Sequence, residues 1–565
     1  VSTVEQQGRH AAARSAAPSA LPALADHATD SDWWRGAAIY QVYPRSFSDA
    51  NGDGTGDLAG VRARLSYLAT LGIDAIWFTP WYPSPMADGG YDVADYRAID
   101  PLFGELGEAE GLIRDALALG LRTIIDVVPN HVSSEHAWFR AALAAGPGSP
   151  ERERFWFRDG RGDDGSLPPN GWESEFGGPA WSRVTGPDGA PEQWYLHLFA
   201  PGQPDLNWGH PEVQREHEEI LNFWFGRGVA GIRIDSAALL AKDAQLPELL
   251  PDTHPGDHPY VDREELQGIY RSWRQIAEDH GPDRVLIGEI WLPDAERFAR
   301  YLRPGVLHAA FNFDFMASPW SAEALRASIV QTLEVHASVG APATWVLSNH
   351  DVTRPVTRYG RADTAFAFET KQFGTPTDLV LGTRRARAAA LLAMALPGAF
   401  YLYQGEELGL PEVEIPVALI EDPMHLRSGG VDPGRDGCRV PFPWSGAEPP
   451  YGFSPEPVDT WLPQPDGWEP FTAKSESADP DSMLGLYRSA LRLRRDLADL
   501  GAGELEWLDL GDDVIAFRRG ALLVSVTNFS PLPLELPPSE QMWLVSTPLE
   551  GGRLPADATA WLRPR

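Results

Sequence analysis

A single cysteine, Cys438, occurs in 565 residues, so no internal disulfide can form and dithiol redox chemistry has no basis. No run of about 18 apolar residues is present, which leaves nothing to span a membrane. Basic residues are scarce beside acidic ones: Lys+Arg 47 against Asp+Glu 80 gives a net charge of -33. That balance argues against nucleic acid and anionic membranes as partners and favours a neutral small molecule. A continuous apolar segment is also missing from the N-terminus, so residues 1–31 read as a flexible Ala-rich arm and the expected location is the cytoplasm. Nothing in the composition separates a monomer from a homodimer. What is plentiful is apolar residue, 43% of the chain, enough for a sizeable core. The 21 tryptophans offer flat faces that suit sugar rings, although any one of them serves a core equally well.

Apolar segments ending in polar or charged residues recur along the chain. They are 39-IYQVYPRSF-47, 75-AIWFTP-80, 123-TIIDVVPNH-131, 231-GIRIDSA-237, 285-VLIGEIW-291, 311-FNFDF-315, 344-TWVLSNHD-351 and 399-AFYLYQG-405. Runs that are apolar throughout mark parallel strands buried on both faces. Helical patterns lie between several of them, as in 211-PEVQREHEEILNFWFGRG-228. The alternation predicts a (β/α)8 TIM barrel formed by residues 32–131 and 200–482. Residues 132–199, rich in Gly, Pro and Trp, read as an inserted irregular B domain after the third strand. Residues 405–480 read as an insertion over the barrel mouth. Residues 483–565 read as a helix followed by a C-terminal antiparallel β-domain, assigned as a β-sandwich.

In such a barrel the site lies at the C-terminal ends of the strands. Asp126, Asn130, His131, Arg233, Asp235, Glu289, Asn349, His350 and Asp351 stand there. Arg233 and Asp235, two apart on a strand, point to one side, and the guanidinium is expected to lower the Asp235 pKa. Glu289 follows the apolar run 285-VLIG-288, which is expected to raise its pKa as a proton donor requires. The pair suits glycoside cleavage with retention, for which two carboxyl groups stand about 5–5.5 Å apart. The bland alternative for any one of these residues is a structural ion pair.

These residues make the chain resemble the α-amylase family of glycoside hydrolases, family 13, in its oligo-1,6-glucosidase/α-glucosidase branch. The motifs run in order as 126-DVVPNH-131, 203-QPDLN-207, 231-GIRID-235, 288-GEIW-291 and 349-NHD-351, with 90-GYDVADY-96 and 435-RDGCRVPFPW-444 matching the glucosidases. The resemblance implies Asp235 as nucleophile, Glu289 as general acid and base, and Asp351 as transition-state stabiliser. It implies that His131, Arg233 and His350 line the glucosyl subsite and that Tyr91 stacks on the ring. Asp92 and Arg439 would close the pocket around the non-reducing end, making the enzyme exo-acting; a domain-bridging ion pair is the alternative. Ser236, after the nucleophile, leans towards α-1,4 linkages, where Val goes with α-1,6. Transglucosylation or sucrose/maltose isomerisation would use the same triad, and a non-catalytic sugar-binding barrel is the remote alternative. No organic cofactor is implied.

The segment 49-DANGDGTGDLAG-60 places side-chain oxygens of Asp49, Asn51, Asp53 and Asp57 at its first, third, fifth and ninth positions, with the Thr55 carbonyl between. Gly60 stands where an EF-hand has its bidentate Glu. The resemblance implies a structural Ca²⁺, or Mg²⁺, in this loop; a solvated acidic turn is the metal-free alternative.

Overall fold

The computed structural model describes residues 31–250, 253–368, 371–497 and 505–565. The expected N-terminal arm, apart from its last residue, lies outside these. Eight parallel strands form one sheet. They are β1 (Ala38–Val42), β2 (Ala75–Phe78), β3 (Arg122–Val127), β4 (Gly231–Ile234), β5 (Val285–Gly288), β6 (Ala309–Ala310), β7 (Thr344–Val346) and β8 (Ala399–Tyr403). The order is β7-β8-β1-β2-β3-β4-β5-β6, and β1 pairs with both β8 and β2. The sheet therefore curls into a barrel whose seam falls between the short strands β6 and β7. There the Thr344 hydroxyl donates to the Ala310 carbonyl. Among the described residues no helix is long and apolar enough to cross a membrane.

The strand expected at 311–315 is displaced. The strand is Ala309–Ala310, and Phe313–Ala317 is a helix. The Asn312 side chain accepts the Phe315 N–H at 3.1 Å and caps that helix, so the chain turns away from the barrel one residue after it leaves the sheet.

Alternation along each strand divides the core. Ile39, Trp77, Ile124, Val285, Ile287 and Tyr401 fill the barrel interior. Tyr40, Ile76, Phe78, Ile125, Ile232, Ile234 and Leu402 pack outward with the helices. The period of two then carries function. Following the interior column towards the strand C-termini, Ile39 gives way to Gln41, Ile124 to Asp126, and Ile287 to Glu289, while Arg233 and Asp235 continue the column of β4. Gly231 keeps that column passable, since a Cβ there would come within 2.8 Å of Val285 Cγ2 and 3.0 Å of Ile124 Cγ1.

The segment after β3 contains more order than the sequence suggested. A helix, Ala137–Ala145, precedes a three-stranded antiparallel sheet of Phe157–Arg158, Pro191–Leu196 and Trp181–Thr185. Its core of Trp156, Trp172, Trp181 and Leu196 also takes in Leu246 and Tyr260, so the insert leans on the long loop after β4.

The C-terminal region is one sheet rather than two facing sheets. Strands β9 (Glu506–Trp507), β10 (Val514–Arg519), β11 (Leu523–Asn528), β12 (Gln541–Val545) and β13 (Ala558–Arg563) lie antiparallel in the order β9-β10-β11-β13-β12. A helix takes the place of a second sheet. Helix Leu379–Ala395 is alanine-rich, and its small buried side chains allow β13 to approach closely. Trp561 Nε1 donates to the Leu391 carbonyl at 3.0 Å and Thr559 Oγ1 to the Ala388 carbonyl at 2.8 Å. The carbonyls at the end of that helix, which no helical N–H can reach, are met by arginines. Arg494 donates to Met394, Leu396 and Gly398, and Arg519 to Ala395.

Candidate active site

The strand-end residues converge on Arg233. Its guanidinium touches Asp126 at 3.0 Å, Asp235 at 2.7 Å and Glu289 at 2.8 Å. Asp126 is itself held by Trp77 Nε1 at 2.6 Å and by the Tyr91 hydroxyl at 2.7 Å. Ser236 links the other two carboxylates. Its hydroxyl donates to Asp235 Oδ2 at 3.0 Å, and its N–H to Glu289 Oε2 at 3.0 Å. The chain reaches that geometry by turning sharply after β4: Ser236 has φ of 46°, a region that costs a side-chain-bearing residue energy. Trp291 Nε1 donates to the remaining oxygen, Glu289 Oε1, at 3.2 Å.

One guanidinium facing three buried carboxylates leaves the cluster short of positive charge. The expected lowering of the Asp235 pKa is therefore not what results. Burial raises it well above the ordinary carboxylate range, Glu289 adds to the rise, and Arg233 opposes without prevailing. Asp126 is likewise pushed up to about 6, first by burial.

Asp351 lies in the opposite regime. Burial pushes its pKa up, but His350, Arg435, Arg439 and Arg233 together hold it below the ordinary range. Its Oδ1 accepts from Arg435 at 3.1 Å and from Arg439 at 2.9 Å. The His350 ring, stacked on Tyr91 with centroids 5.1 Å apart, lies with Nε2 3.3 Å from Asp351 Oδ2 and Nδ1 2.7 Å from Gln41 Nε2. An amide N–H of Gln41 can only donate, which makes Nδ1 the acceptor and leaves Nε2–H for Asp351. His131 is buried and pushed down to about 4 by desolvation, so it is neutral at pH 7. It contacts Asn130, Gln203 and the Tyr91 carbonyl, supporting the Tyr91 backbone from behind.

Asp92 and Arg439 do not meet. Asp92 accepts from the Ser84 hydroxyl at 2.8 Å and from the backbone N–H groups of Ala87 and Asp88 at 3.0 and 3.1 Å. The intervening turn doubles back through Gly89 and Gly90, at φ of 58° and 103°, and aims Asp92 at its own loop. The pair that does form is Asp88 with Arg435, at 2.6 Å. Arg435 also holds Asp422 at 2.8 Å, and burial of all three is nearly complete. The sequence reading did not assign Asp88, Asp422 or Arg435 a role, and named Asp126 only as a strand-end residue. Arg435 opens the same motif that contains Arg439, and Asp88 stands three residues before Tyr91, so both lay within reach of the motifs already singled out.

A cavity of about 440 Å³ opens on Ser236, Glu289, Asp351 and Arg435, and is otherwise walled largely by apolar side chains. The segment after β8 lines it through Met424 and Arg435.

The loop at 49–60 is knit by its own backbone. Asp49 accepts N–H groups from Gly52 and Gly54, Asp53 from Thr55, and Asp57 from Ala50, Asn51 and Gly60. Asn51 Nδ2 lies 3.1 Å from Asp53 Oδ2. Among the described residues no group of three or more His, Cys, Asp or Glu side chains gathers closely enough to hold a metal. The donor set nevertheless fits a hard cation: every side-chain donor is oxygen, and an ionised carboxylate keeps lone pairs beyond those its N–H partners use. The loop also fastens the insertion, since Asp49 N–H donates to Phe453 and Trp461 N–H to Gly54.

Comparison with known proteins agrees with this architecture. The family model described as "Alpha amylase, catalytic domain" matches residues 41–503. A probable alpha-glucosidase of Rhizobium meliloti (strain 1021) is 36% identical over 511 residues, covering 87% of each chain. Among solved structures, the alpha-glucosyl transfer enzyme XgtA matches with a TM-score of 0.81 at 35% identity, covering 94% of this chain and 99% of its own. An isomaltulose synthase from Erwinia rhapontici NX5 matches with a TM-score of 0.81 at 28% identity, covering 96% and 100%.

Proposed function

Since the chain belongs to the α-amylase family of glycoside hydrolases and has glucosidase-type activity on α-glucosides, we propose that it is a retaining, exo-acting α-glucosidase that prefers short α-1,4 substrates such as maltose. The observation that carries this reading is the junction at Arg233 and Ser236, which ties Asp235 and Glu289 together at the ends of β4 and β5. Asp235 Oδ2 attacks the anomeric carbon while Glu289 gives its proton to the departing glycosidic oxygen. Glu289, now ionised, takes a proton from water, whose oxygen displaces Asp235 and completes the second inversion. Asp351, kept anionic by Arg435 and Arg439, faces the positive charge that develops on the ring.

Asp88 and Arg435, in place of Asp92 and Arg439, close the blind end around the terminal hydroxyls. Asp92 acts through the turn it holds. Blocking that end restricts the enzyme to the terminal unit of a short chain. The hydroxyl of Ser236 is the feature that favours α-1,4 over α-1,6 bonds. A panel of maltose, isomaltose, sucrose and maltooligosaccharides, with the anomer of the first-released glucose read by NMR, tests this. We expect α-glucose and maltose turned over faster than isomaltose; β-glucose as first product would overturn the assignment of a covalent intermediate. Transglucosylation is the second reading, favoured by the apolar acceptor side of the cavity, and products other than glucose at high sugar concentration would reveal it.

The loop at 49–60 is proposed as the site of a structural Ca²⁺ or Mg²⁺ held by Asp49, Asn51, Asp53, Asp57 and the Thr55 carbonyl. Bound to the native state alone, it would raise stability in proportion to its occupancy. Treatment with a chelator should lower the melting temperature by several degrees, and added Ca²⁺ should restore it. An unchanged melting temperature together with no metal released would sink the site.

A further inference from the structure

Lys242 lies in the loop after β4, and its side chain is wholly buried without lining the catalytic cavity. A buried charge is costly unless partners meet it. Among the described residues two do so: Asp205 Oδ2, on the return from the insert, at 2.8 Å, and Asn130 Oδ1, just past β3, at 2.5 Å. An ammonium group can only donate, so Asn130 turns its oxygen to Lys242 and its N–H to His131. Asn130 Nδ2 lies 3.1 Å from His131 Nδ1, which makes Nδ1 the acceptor and puts the ring proton on Nε2, 3.1 Å from the Tyr91 carbonyl. One contact opposes this. Gln203 is oriented by the Ala200 N–H on its Oε1 and by Asp88 Oδ2 on its Nε2, each at 3.0 Å, and that Nε2 also lies 3.0 Å from His131 Nε2, donor against donor. With Asn130 fixed, the Nε2–H form satisfies two contacts and opposes one. The Nδ1–H form satisfies Gln203 alone and opposes both Asn130 and the Tyr91 carbonyl. Were the Asn130 amide free to rotate, the Nδ1–H form would satisfy Asn130 and Gln203 and oppose only Tyr91, and the two forms would balance. The direction in which Asn130 faces decides between them, and Lys242 sets that direction.

We propose that Lys242 is a positioning residue that selects the His131 tautomer and, through Nε2–H, anchors the Tyr91 backbone. The functional half of the inference rests on the glucosidase reading, in which Tyr91 is the platform for the glucosyl ring. Tyr91 carries the effect into the site, because its hydroxyl holds Asp126 at 2.7 Å and its ring stacks on His350. With the proton on Nδ1, the Tyr91 carbonyl would face a bare nitrogen lone pair in place of a donor.

Nitrogen NMR of the histidine-labelled protein reads the tautomer, with His131 assigned by the signals lost in His131→Gln. We expect a protonated Nε2 and a bare Nδ1 in the wild type. Lys242→Met alone leaves Asp205 buried and uncompensated, so it is paired with Asp205→Asn; the double variant should show both tautomers. Asn130→Asp keeps the contact with Lys242 but has no N–H to give, so Nδ1 should become protonated. In Asn130→Asp the KM for maltose should rise about two- to tenfold, the scale of one lost hydrogen bond, with kcat changed less. A wild-type ring protonated on Nδ1, or a double variant with the wild-type tautomer, would overturn the selection by Lys242. A proton that moves in Asn130→Asp while KM stays put would overturn the anchoring of Tyr91. Wild-type protein that cleaves no α-glucoside would overturn the glucosidase reading and leave the tautomer selection standing, since the spectra need no substrate.

Discussion

Asp235→Asn should abolish release of glucose from maltose and from alkyl α-glucosides, lowering kcat/KM by about four orders of magnitude or more, the scale on which removal of a nucleophile acts. The substitution is nearly isosteric: the Asn amide oxygen can still accept from Arg233 Nη1, which now meets Oδ1 at 2.7 Å, and the amide N–H can donate to Ser236 Oγ, which now meets Oδ2 at 3.0 Å. It also removes one negative charge from a cluster in which a single guanidinium faces Asp126, Asp235 and Glu289. Stability should therefore hold or rise while activity vanishes. A melting temperature equal to or above that of the wild type, with no turnover, separates this outcome from misfolding. Turnover above about a hundredth of the wild-type rate would remove Asp235 from the role of nucleophile.

Arg435→Met should damage both stability and catalysis. Arg435 is buried and meets Asp88, Asp422 and Asp351 at once. Truncating one partner of a buried ion pair typically costs about 3–5 kcal/mol, because the remaining charge is left uncompensated. Here three carboxylates lose the same partner, so the loss should reach the upper part of that range. Chemical denaturation at pH 7 checks it. Its sign with pH follows from the carboxylates: Arg435 helps to hold Asp351 below its ordinary pKa, so this stabilisation is present at neutral pH and fades on acidification through the carboxylate range. The difference between wild type and variant should shrink as the pH falls. Arg435→Lys restores charge but cannot span three acceptors with a fork of N–H groups, and should recover only part of the loss. A difference below about 1 kcal/mol at pH 7 for Arg435→Met would show that the three carboxylates find other partners.

The barrel was legible because parallel strands buried on both faces are apolar along their length and end in charge at the site. The strand that escaped this rule, β6, has two residues, Ala309 and Ala310. The phenylalanines that follow imitate a strand, but Asn312 starts a helix between them. The placement of Arg233 and Asp235 was legible for the same reason of periodicity: on a strand, parity decides direction. The blind end was not. It is made by loops, where spacing says little about direction. Two aspartates four apart, Asp88 and Asp92, face two arginines four apart, Asp436 between them, at Arg435 and Arg439. Only the turn through Gly89 and Gly90 decides which aspartate looks into the site. The Asp235 pKa was misjudged by counting one neighbour, Arg233, when burial and Glu289 weigh more. The second sheet of the expected sandwich is a helix because the alanines of Leu379–Ala395 are as apolar, and thinner, than strand residues would be.

The manner in which that helix ends has a consequence for the order in which the molecule can be completed. Its final carbonyls wait for Arg494 and Arg519, and its alanine face waits for Thr559 and Trp561. A ribosome delivers Arg494 95 residues, and Trp561 162 residues, after the first residue of β8, Ala399, enters the exit tunnel. The barrel can start to form during synthesis, as N-terminal regions generally do, yet its last helix and strand gain their full set of partners only when the end of the C-terminal sheet emerges. Barrel and sheet are therefore one cooperative unit, and a chain cut after β8 would carry an unfinished barrel rather than a smaller enzyme.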